Sequence, residues 1–457
     1  MSIDFPKNWK QVVLEDALDA LIDYRGKTPK KVDKGIPLIT AKVVKFGRIL
    51  PMDEFIADED YESWMVRGIP QISDIVVTTE APLGEVAQIK NANVALAQRI
   101  VTLRGKVDFL ENDFLLFLMQ SDFVQNQLEA RATGSTVKGI KQSELRKIIL
   151  PIPPIAEQKC IGKILSDLDD KIHLNNQINQ TLESIAQAIF KSWFIDFDPV
   201  RAKIAAKQEG KDAEFAAMCV ISGKSEEELK QMSEGDFAEL QATAALFPDE
   251  LVESELGEVP KGWDATALGN FLEIKRGGSP RPIQNFMAPT GYPWVKIADA
   301  TADPSPFLFK TKEFIIKEGL KKTVYLKKGS LILTNSATPG LPKFLELDAC
   351  IHDGWLYFPQ KKHFSDNYLY FLFLKLRTQL VAQGNGSVFT NLKTDILRNQ
   401  VVLVPTREVI EKFDLQVGKI LKMMKTQCIQ SSNLSDLRDT LLPKLLSGEL
   451  DATLLKE

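Results

Sequence analysis

The chain has 457 residues, 57 Lys and Arg against 61 Asp and Glu, a formal net charge of −4, and 44% apolar and 26% charged residues. These ordinary globular values exclude collagen-like, mucin-like and disordered classes, and the length allows two to four domains. No apolar run approaches the roughly 18 residues of a membrane span, MSIDFPKNWK lacks the apolar core of a secretory signal, and Cys160, Cys219, Cys350 and Cys428 lie far apart with no CxxC. A cytoplasmic protein with reduced thiols and no membrane contact is expected.

Residues 1–153 read as a first mixed α/β module. It opens on FPKNWK with Trp9, followed by the loop DYRGKTPKK with Arg25 and Lys27 and the short run GIPLI from Gly35. SDIVVTTEAPLG (Ser73 to Gly84) reads as a buried strand emptying into a Pro-containing loop. DFLLFLMQSDFVQNQL from Asp113 reads as an apolar helix opened by a capping Asp. The module closes on GSTVKGIKQSELRKIILPIP (Gly134 to Pro153).

Residues 154–196 predict a long helix. Ile161, Leu165, Leu168, Ile172, Asn175, Asn179, Leu182, Ala186, Ile189 and Trp193 alternate strictly by four and three, a heptad seam about five repeats long. Asn175 and Asn179 on that seam cost stability, but such residues fix register and partner. Residues 197–258 read as a central acidic region, either a conserved segment or a linker. Residues 151–262 together carry −10, against −1 for 1–150, +7 for 263–406 and 0 for 407–457. The basic excess of the third segment includes Lys321, Lys322, Lys327, Lys328, Lys361 and Lys362, which suggests different partners for different regions.

A second module, 259–406, repeats the first at a distance of about 254 residues. VPKGWD matches FPKNWK and puts Trp263 over Trp9; GYPWV from Gly291 matches GIPLI; GSLILTNSATPG (Gly329 to Gly340) faces SDIVVTTEAPLG. A helix from Asp366 follows, and GSVFTNLKTDILRNQVVLVP matches the first module's close, with Gly386 over Gly134, Arg398 over Arg146 and Pro405 over Pro153. GKIL then recurs, Gly162 to Leu165 and Gly418 to Leu421, opening a second long helix in 407–457. Its seam runs through Val417, Ile420, Met424, Leu434, Leu437, Leu441 and Leu445 and stops at Gly448. The expected architecture is α+β: two similar mixed α/β modules, each followed by a long helix, with the helices paired as an antiparallel coiled coil. Shared scaffold with divergent side chains is what two readers of different targets would show.

Motifs for bond-making chemistry are missing. GKT at Gly26 and GKS at Gly223 have Leu21 and Met218 where a phosphate loop needs glycine. GxGxxG, the NPPF or NPPY tetrapeptide, a nucleophile elbow and HExxH do not occur. His173, His352 and His363 are the chain's histidines, and Cys350-Ile351-His352 is too isolated for a metal site. No cofactor or metal is expected on this chain.

IAQAIFKSWFIDFDPVRAK (Ile185 to Lys203), LFPDELVESELGEVPKGW (Leu246 to Trp263), PIPPIAEQ (Pro151 to Gln158) and DLRDTLLPKLLSGEL (Asp436 to Leu450), with the two-module layout, resemble the specificity subunit of type I restriction-modification systems. The resemblance covers essentially the whole chain. It implies that 1–153 and 259–406 are target-recognition domains for double-stranded DNA, and that the helices in 154–196 and 407–457 are the family's conserved spacers. It also implies two modification subunits, which bind S-adenosylmethionine and methylate adenine, and two restriction subunits, which use ATP and Mg2+ to translocate and cleave DNA. The chain itself would be a non-catalytic reader. The other readings are a stand-alone methyltransferase or nuclease with a divergent site, and a protein-binding scaffold.

Candidate DNA-contacting residues follow from loop chemistry alone. In the first module they are Arg25, Lys27, the loop from Thr79 to Gly84, Lys138 and Lys141. In the second they are Lys275, Arg276, Arg281, the loop from Asn335 to Gly340, and Lys393. Arg beside Gly suits close backbone approach and bidentate contact with guanine or phosphate.

Overall fold

The computed structural model describes residues 5–135, 137–383 and 392–455. The chain divides into two compact units, Met1–Asn175 with Gln430–Glu457, and Asn176–Ile429. The division falls inside both long helices, so each unit holds one module and one half of each helix.

In the first unit an antiparallel sheet orders the strands Leu18–Asp23, Ile100–Gly105, Ile75–Thr79 and Leu83–Gln88. Ile75–Thr79 is buried along its whole length, which is why it reads as a continuous β-branched run rather than an alternating one. A second sheet orders Ala95–Leu96, Ile36–Ile39, Phe55–Ile56 and Lys31–Val32. The apolar run expected to form one helix from Asp113 forms two, Asn112–Gln120 and Asp122–Arg131. The break is at Ser121, whose extended backbone stops the first helix and whose hydroxyl accepts the Val124 N–H to cap the second. Phe114, Leu115, Phe117 and Leu118 fill the core against Val77 and Leu103.

In the second unit two five-stranded sheets form. One orders Lys275–Arg276, Trp355–Tyr357, Leu331–Thr334, Pro342–Leu345 and Phe307–Leu308; the other is built around Tyr292–Val295 and Ala349–Ile351. Residues 197–258 are not a linker. They fold into helices at Asp198–Gln208, Ala213–Ser222, Glu226–Lys230 and Glu234–Ala245, and a hairpin pairing Leu251–Ser254 with Gly257–Pro260. Acidic composition hid their apolar minority: Val200, Ala217, Met218, Leu229 and Phe247 are buried in the unit's core. That core centres on aromatic rings from the IFKSWF segment, with Phe194 5.1 Å from Phe413 and 5.0 Å from Tyr368, and Trp193 5.1 Å from Phe247.

The duplication extends to individual hydrogen bonds. Lys10–Val13 pairs antiparallel with Ile149–Ile152 in the first module, as Asp264–Ala267 does with Val401–Val404 in the second. Trp9 and Trp263 are both buried, each donating its backbone N–H to the carbonyl three residues back, Pro6 and Pro260. Thr78 Oγ1 accepts the Glu85 N–H at 2.9 Å, and Thr334 Oγ1 accepts the Leu341 N–H at 2.8 Å. Ala81 and Ala337 both sit at positive φ. Gly386 lies outside the described residues, so that part of the alignment has no structural counterpart.

The long helices run Ile155–Phe194 and Arg407–Ser447. Every expected seam position of the first is buried or half-buried: Ile161, Leu165, Asn175, Ala186 and Trp193 fully, Leu168, Ile172, Asn179, Leu182 and Ile189 partly. Within the first unit the helices run antiparallel, with Asn175 Nδ2 3.0 Å from Gln430 Oε1 and Asp169 2.7 Å from Arg438. Within the second they do the same, with Asn179 Nδ2 3.2 Å from Cys428 Sγ and Phe190 5.8 Å from Phe413. In the second helix Leu437 is exposed, against expectation. Its neighbour Arg438 faces the partner helix instead and satisfies Asp169 there. Among the described residues no helix is long and apolar enough to cross a membrane.

The glycine of GKIL has a packing reason in the first module. A Cβ at that position would lie 3.0 Å from Asp113 Cβ and from the Phe114 backbone nitrogen, so glycine lets the long helix approach the start of Asn112–Gln120. Gly418 faces Asn367, at the start of Asp366–Gln383, with more room: the nearest atom to a Cβ there would be 3.6 Å away.

Candidate nucleic-acid interface

In each module the candidate loops meet at one end of a sheet. In the first, the Thr79 N–H donates to the Arg99 carbonyl and the Ile140 N–H donates to the Thr79 carbonyl. The Thr28 hydroxyl reaches Gln98 Oε1 at 3.3 Å. This draws together the loop after Asp23, the loop between the strands Ile75–Thr79 and Leu83–Gln88, and the segment around Lys138 and Lys141. In the second, the Asn335 N–H donates to the Gly354 carbonyl and the Leu392 N–H to the Asn335 carbonyl. The Ser279 hydroxyl donates to Asp353 Oδ1 at 2.6 Å. Three separate stretches thus converge on the Asp353–Gly354 turn, in the same pattern.

Individual side chains divide sharply. Thr79 and Asn335 occupy equivalent positions and are buried. Their backbones hold the loops, so neither side chain faces outward, and both leave the set of surface contacts. Arg25 is half-buried, its guanidinium 3.8 Å from Asp23, and the Arg67 guanidinium donates to the Asp23 and Arg25 carbonyls. Lys27, Lys141 and Lys393 are exposed. Lys138 pairs with Glu129, and Lys275 with Glu273 at 2.8 Å. Arg276 donates through Nε and Nη2 to the Asp353 carbonyl, at 3.2 and 2.8 Å, so its fork is already engaged. Arg281 has a side chain 81% exposed and only a 3.4 Å contact with Asp353 Oδ2.

The glycines of KRGGSPRP were expected to admit DNA; they admit protein backbone instead. A Cβ on Gly277 would lie 2.2 Å from the His352 carbonyl oxygen, and the Gly277 and Gly278 N–H groups bond Trp355 and Ile351. The lysine excess of this module is also partly spent locally, with Lys327 on Asp348, Lys328 on Glu346 and Lys361 on Asp366.

Sequence reasoning missed the turn that organises the second module. His352 Nδ1 accepts the Gly354 N–H at 2.8 Å, which makes Nδ1 unprotonated and rules out an ion pair with Asp353 despite their 3.7 Å separation. Burial lowers the His352 pKa further. The Ser279 hydroxyl, then a backbone N–H and the nearby Arg281, hold Asp353 below the usual carboxylate range. The Asp-Gly pair in CIHDGW was the available signal, being a common turn sequence. Burial pushes the neighbouring Cys350 thiol up to about 11. Among the described residues no group of three or more His, Cys, Asp or Glu side chains is placed to hold a metal ion. His173 is half-buried beside a cavity of about 300 Å³ that Arg48, Asp169 and Asp170 also line.

Comparison with known proteins decides the family. The model of the type I restriction modification DNA specificity domain matches this chain twice, over residues 6–184 and 260–433. The chain belongs to the type I specificity-subunit family. It is 32% identical over 386 residues to the type I restriction enzyme HindI specificity subunit of Haemophilus influenzae, covering 78% of this chain and 82% of that protein. The MjaIX specificity subunit of Methanocaldococcus jannaschii is 25% identical over 462 residues, covering 97% and 94%. In fold, the chain is similar to the crystal structure of the type I restriction-modification S subunit from M. genitalium, with a TM-score of 0.58, 15% identity and coverage of 97% and 98%. Each matched segment of this specificity-family chain starts within a module and ends within the long helix after it, so module and helix recur as one unit of the family.

Proposed function

We propose that this chain is the DNA-reading subunit of a type I restriction-modification complex, each module recognising one half of a bipartite, asymmetric target. The carrying observation is the duplicated loop frame. Thr79 and Asn335 anchor equivalent loops, while the groups presented around them differ between the modules. Equal frames with unequal side chains suit two half-sites of different sequence, with phosphate contacts giving position and base edges giving identity. The long helices, 40 and 41 residues at about 1.5 Å per residue, would set the spacer between half-sites and offer docking surface to two modification subunits. In this reading the chain makes and breaks no bonds. S-adenosylmethionine belongs to the modification subunits, ATP and Mg2+ to two restriction subunits, and the complex works in the cytoplasm. A first module near charge neutrality has little cationic excess for phosphate neutralisation, so the chain alone should bind DNA weakly and its partners should supply most of the electrostatic grip.

Mapping methylated adenines in a genome that carries the whole system tests this reading. The expected result is one motif of two unlike half-sites separated by a fixed unread spacer. Methylation by the purified chain alone, or a continuous motif, would overturn it.

A further inference from the structure

The second module holds an open groove of about 910 Å³ beside the Asp353 turn, lined by Ser279, Arg281, Gln284, Trp294, Lys296 and His352 among others. Its polar groups are biased toward donation. Ser279 is spent, its hydroxyl donating to Asp353 Oδ1 and accepting the Asp353 N–H. His352 has Nδ1 filled by Gly354, which leaves Nε2–H as its free group. Lys296 pairs with Glu313 at the rim with its side chain 46% exposed. Arg281 contacts Asp353 through one nitrogen and keeps its other N–H groups for solvent or a ligand. Gln284 is exposed and is the one lining side chain of the six that can readily accept as well as donate. The apolar lining includes Pro280, Pro282 and Ile283.

We propose that this groove is the base-reading pocket of the second module, that it takes an acceptor-rich edge, guanine O6 and N7, and that Arg281 is its specificity-determining residue. The proposal rests on the reading of this module as a DNA reader. Cytosine offers a donor amine in the major groove, adenine a donor beside its acceptor, and thymine a single O4 acceptor beside its methyl group, so guanine is the base that presents two adjacent acceptors there. Arg276, with its fork on the Asp353 carbonyl, is a positioning residue: it holds the turn that follows His352 and to which the Ser279 hydroxyl is bonded. A phosphate shares the acceptor chemistry, and the test separates the two sources.

The test uses the full chain assembled with its modification subunits and duplexes carrying the mapped target. Guanines of the second half-site are replaced one at a time by 7-deazaguanine, which lacks the N7 acceptor. The expected result is one position at which replacement weakens wild-type binding, with Arg281→Ala weakening the natural duplex about 5- to 150-fold and abolishing the difference between natural and substituted duplexes. Arg281→Lys keeps the charge and loses the fork, so it should lose the base dependence while keeping the salt dependence. Uniform weakening of related and unrelated duplexes by Arg281→Ala, with a salt slope reduced by about one, would assign phosphate and overturn the pocket. A second half-site without guanine, or loss confined to the first half-site, would also overturn it. Wild-type complex that shows no sequence preference would sink the reading of the module as a DNA reader, a different failure. Because Arg281 is largely exposed, circular dichroism of both variants should match wild type.

Discussion

Seven residues inserted after Asn175, with seven more after Ile429, would lengthen both long helices where the two compact units divide. Seven residues add about 10.5 Å of helix and two seam turns, so apolar positions on either side of each insertion keep their phase. At about 3.4 Å per base pair, the expected change is a spacer longer by about three base pairs. The insertion points spare the contacts that fasten each module's own half of the helix pair. Asp169–Arg438 at 2.7 Å stays in the first unit, and Asn179–Cys428 and Lys425–Glu346, at 3.2 and 3.1 Å, stay in the second. A deletion of the same size would remove such contacts. Three base pairs also rotate one half-site by roughly 100° about the DNA axis, so the efficiency of modification should fall even where the longer spacer is accepted. The assay is single-molecule sequencing of methylated adenines in cells carrying the complete system. Both half-sites should persist. Altered half-sites at an unchanged spacer would refute the idea that the helices act as a ruler.

Other perturbations have signs set by local geometry. Gly418→Ala meets nothing nearer than 3.6 Å and should gain about 1 kcal/mol of helix propensity, raising the melting temperature of its unit by roughly 2–4 °C. Gly162→Ala meets backbone at 3.0 Å, where overpacking of about 1–3 kcal/mol offsets that gain and leaves the variant unchanged or destabilised; equal shifts in the two melting curves would contradict the argument. Asn175→Leu removes a buried amide whose Oδ1 has no partner and leaves Gln430, which is exposed, to water. It should stabilise the protein to urea by about 1 kcal/mol, and a loss of stability would show that the Asn175–Gln430 bond outweighs the orphaned oxygen. His352 binds its proton less readily when folded than its ordinary value of 6.5. The unfolded state therefore holds more protons between the folded value and 6.5, and stability falls as pH drops through that window. His352→Gln should flatten the acid limb of a denaturation series in that range, and an unchanged limb would remove His352 from the account.

The heptad seam was legible because a long narrow stripe repeats one physical requirement every seven residues, and all of its first-helix positions are buried or half-buried. The duplication was legible for a similar reason: Trp9 and Trp263 and the two strand-loop stretches meet the same local demands, whereas the repeated Gly162 and Gly418 meet different ones. Loop chemistry was read less well. Thr79 and Asn335 read as presented groups because they open loops, yet the neighbouring chain buries both. The acidic composition of 197–258 suggested a linker, since a charge count is blind to where the apolar residues fall, and their placement is what builds a core.

Sequence alone determined the number of modules, their order, the two long helices and the missing catalytic motifs, because periodicity, repetition and motif spacing are local properties of the chain. Tertiary structure alone decided which pieces belong together. Residues 430–457 fold with the first module, whose core takes in Leu445, Leu446 and Ala452, while 176–196 fold with the second. It also decided which basic side chains are free. Arg276 and Arg281 stand five residues apart with the same chemistry, yet the Asp353 carbonyl takes two nitrogens of one, while the other meets Asp353 only through its carboxylate at 3.4 Å and stays 81% exposed. Such a difference depends on a residue more than seventy positions away, beyond the reach of any local pattern.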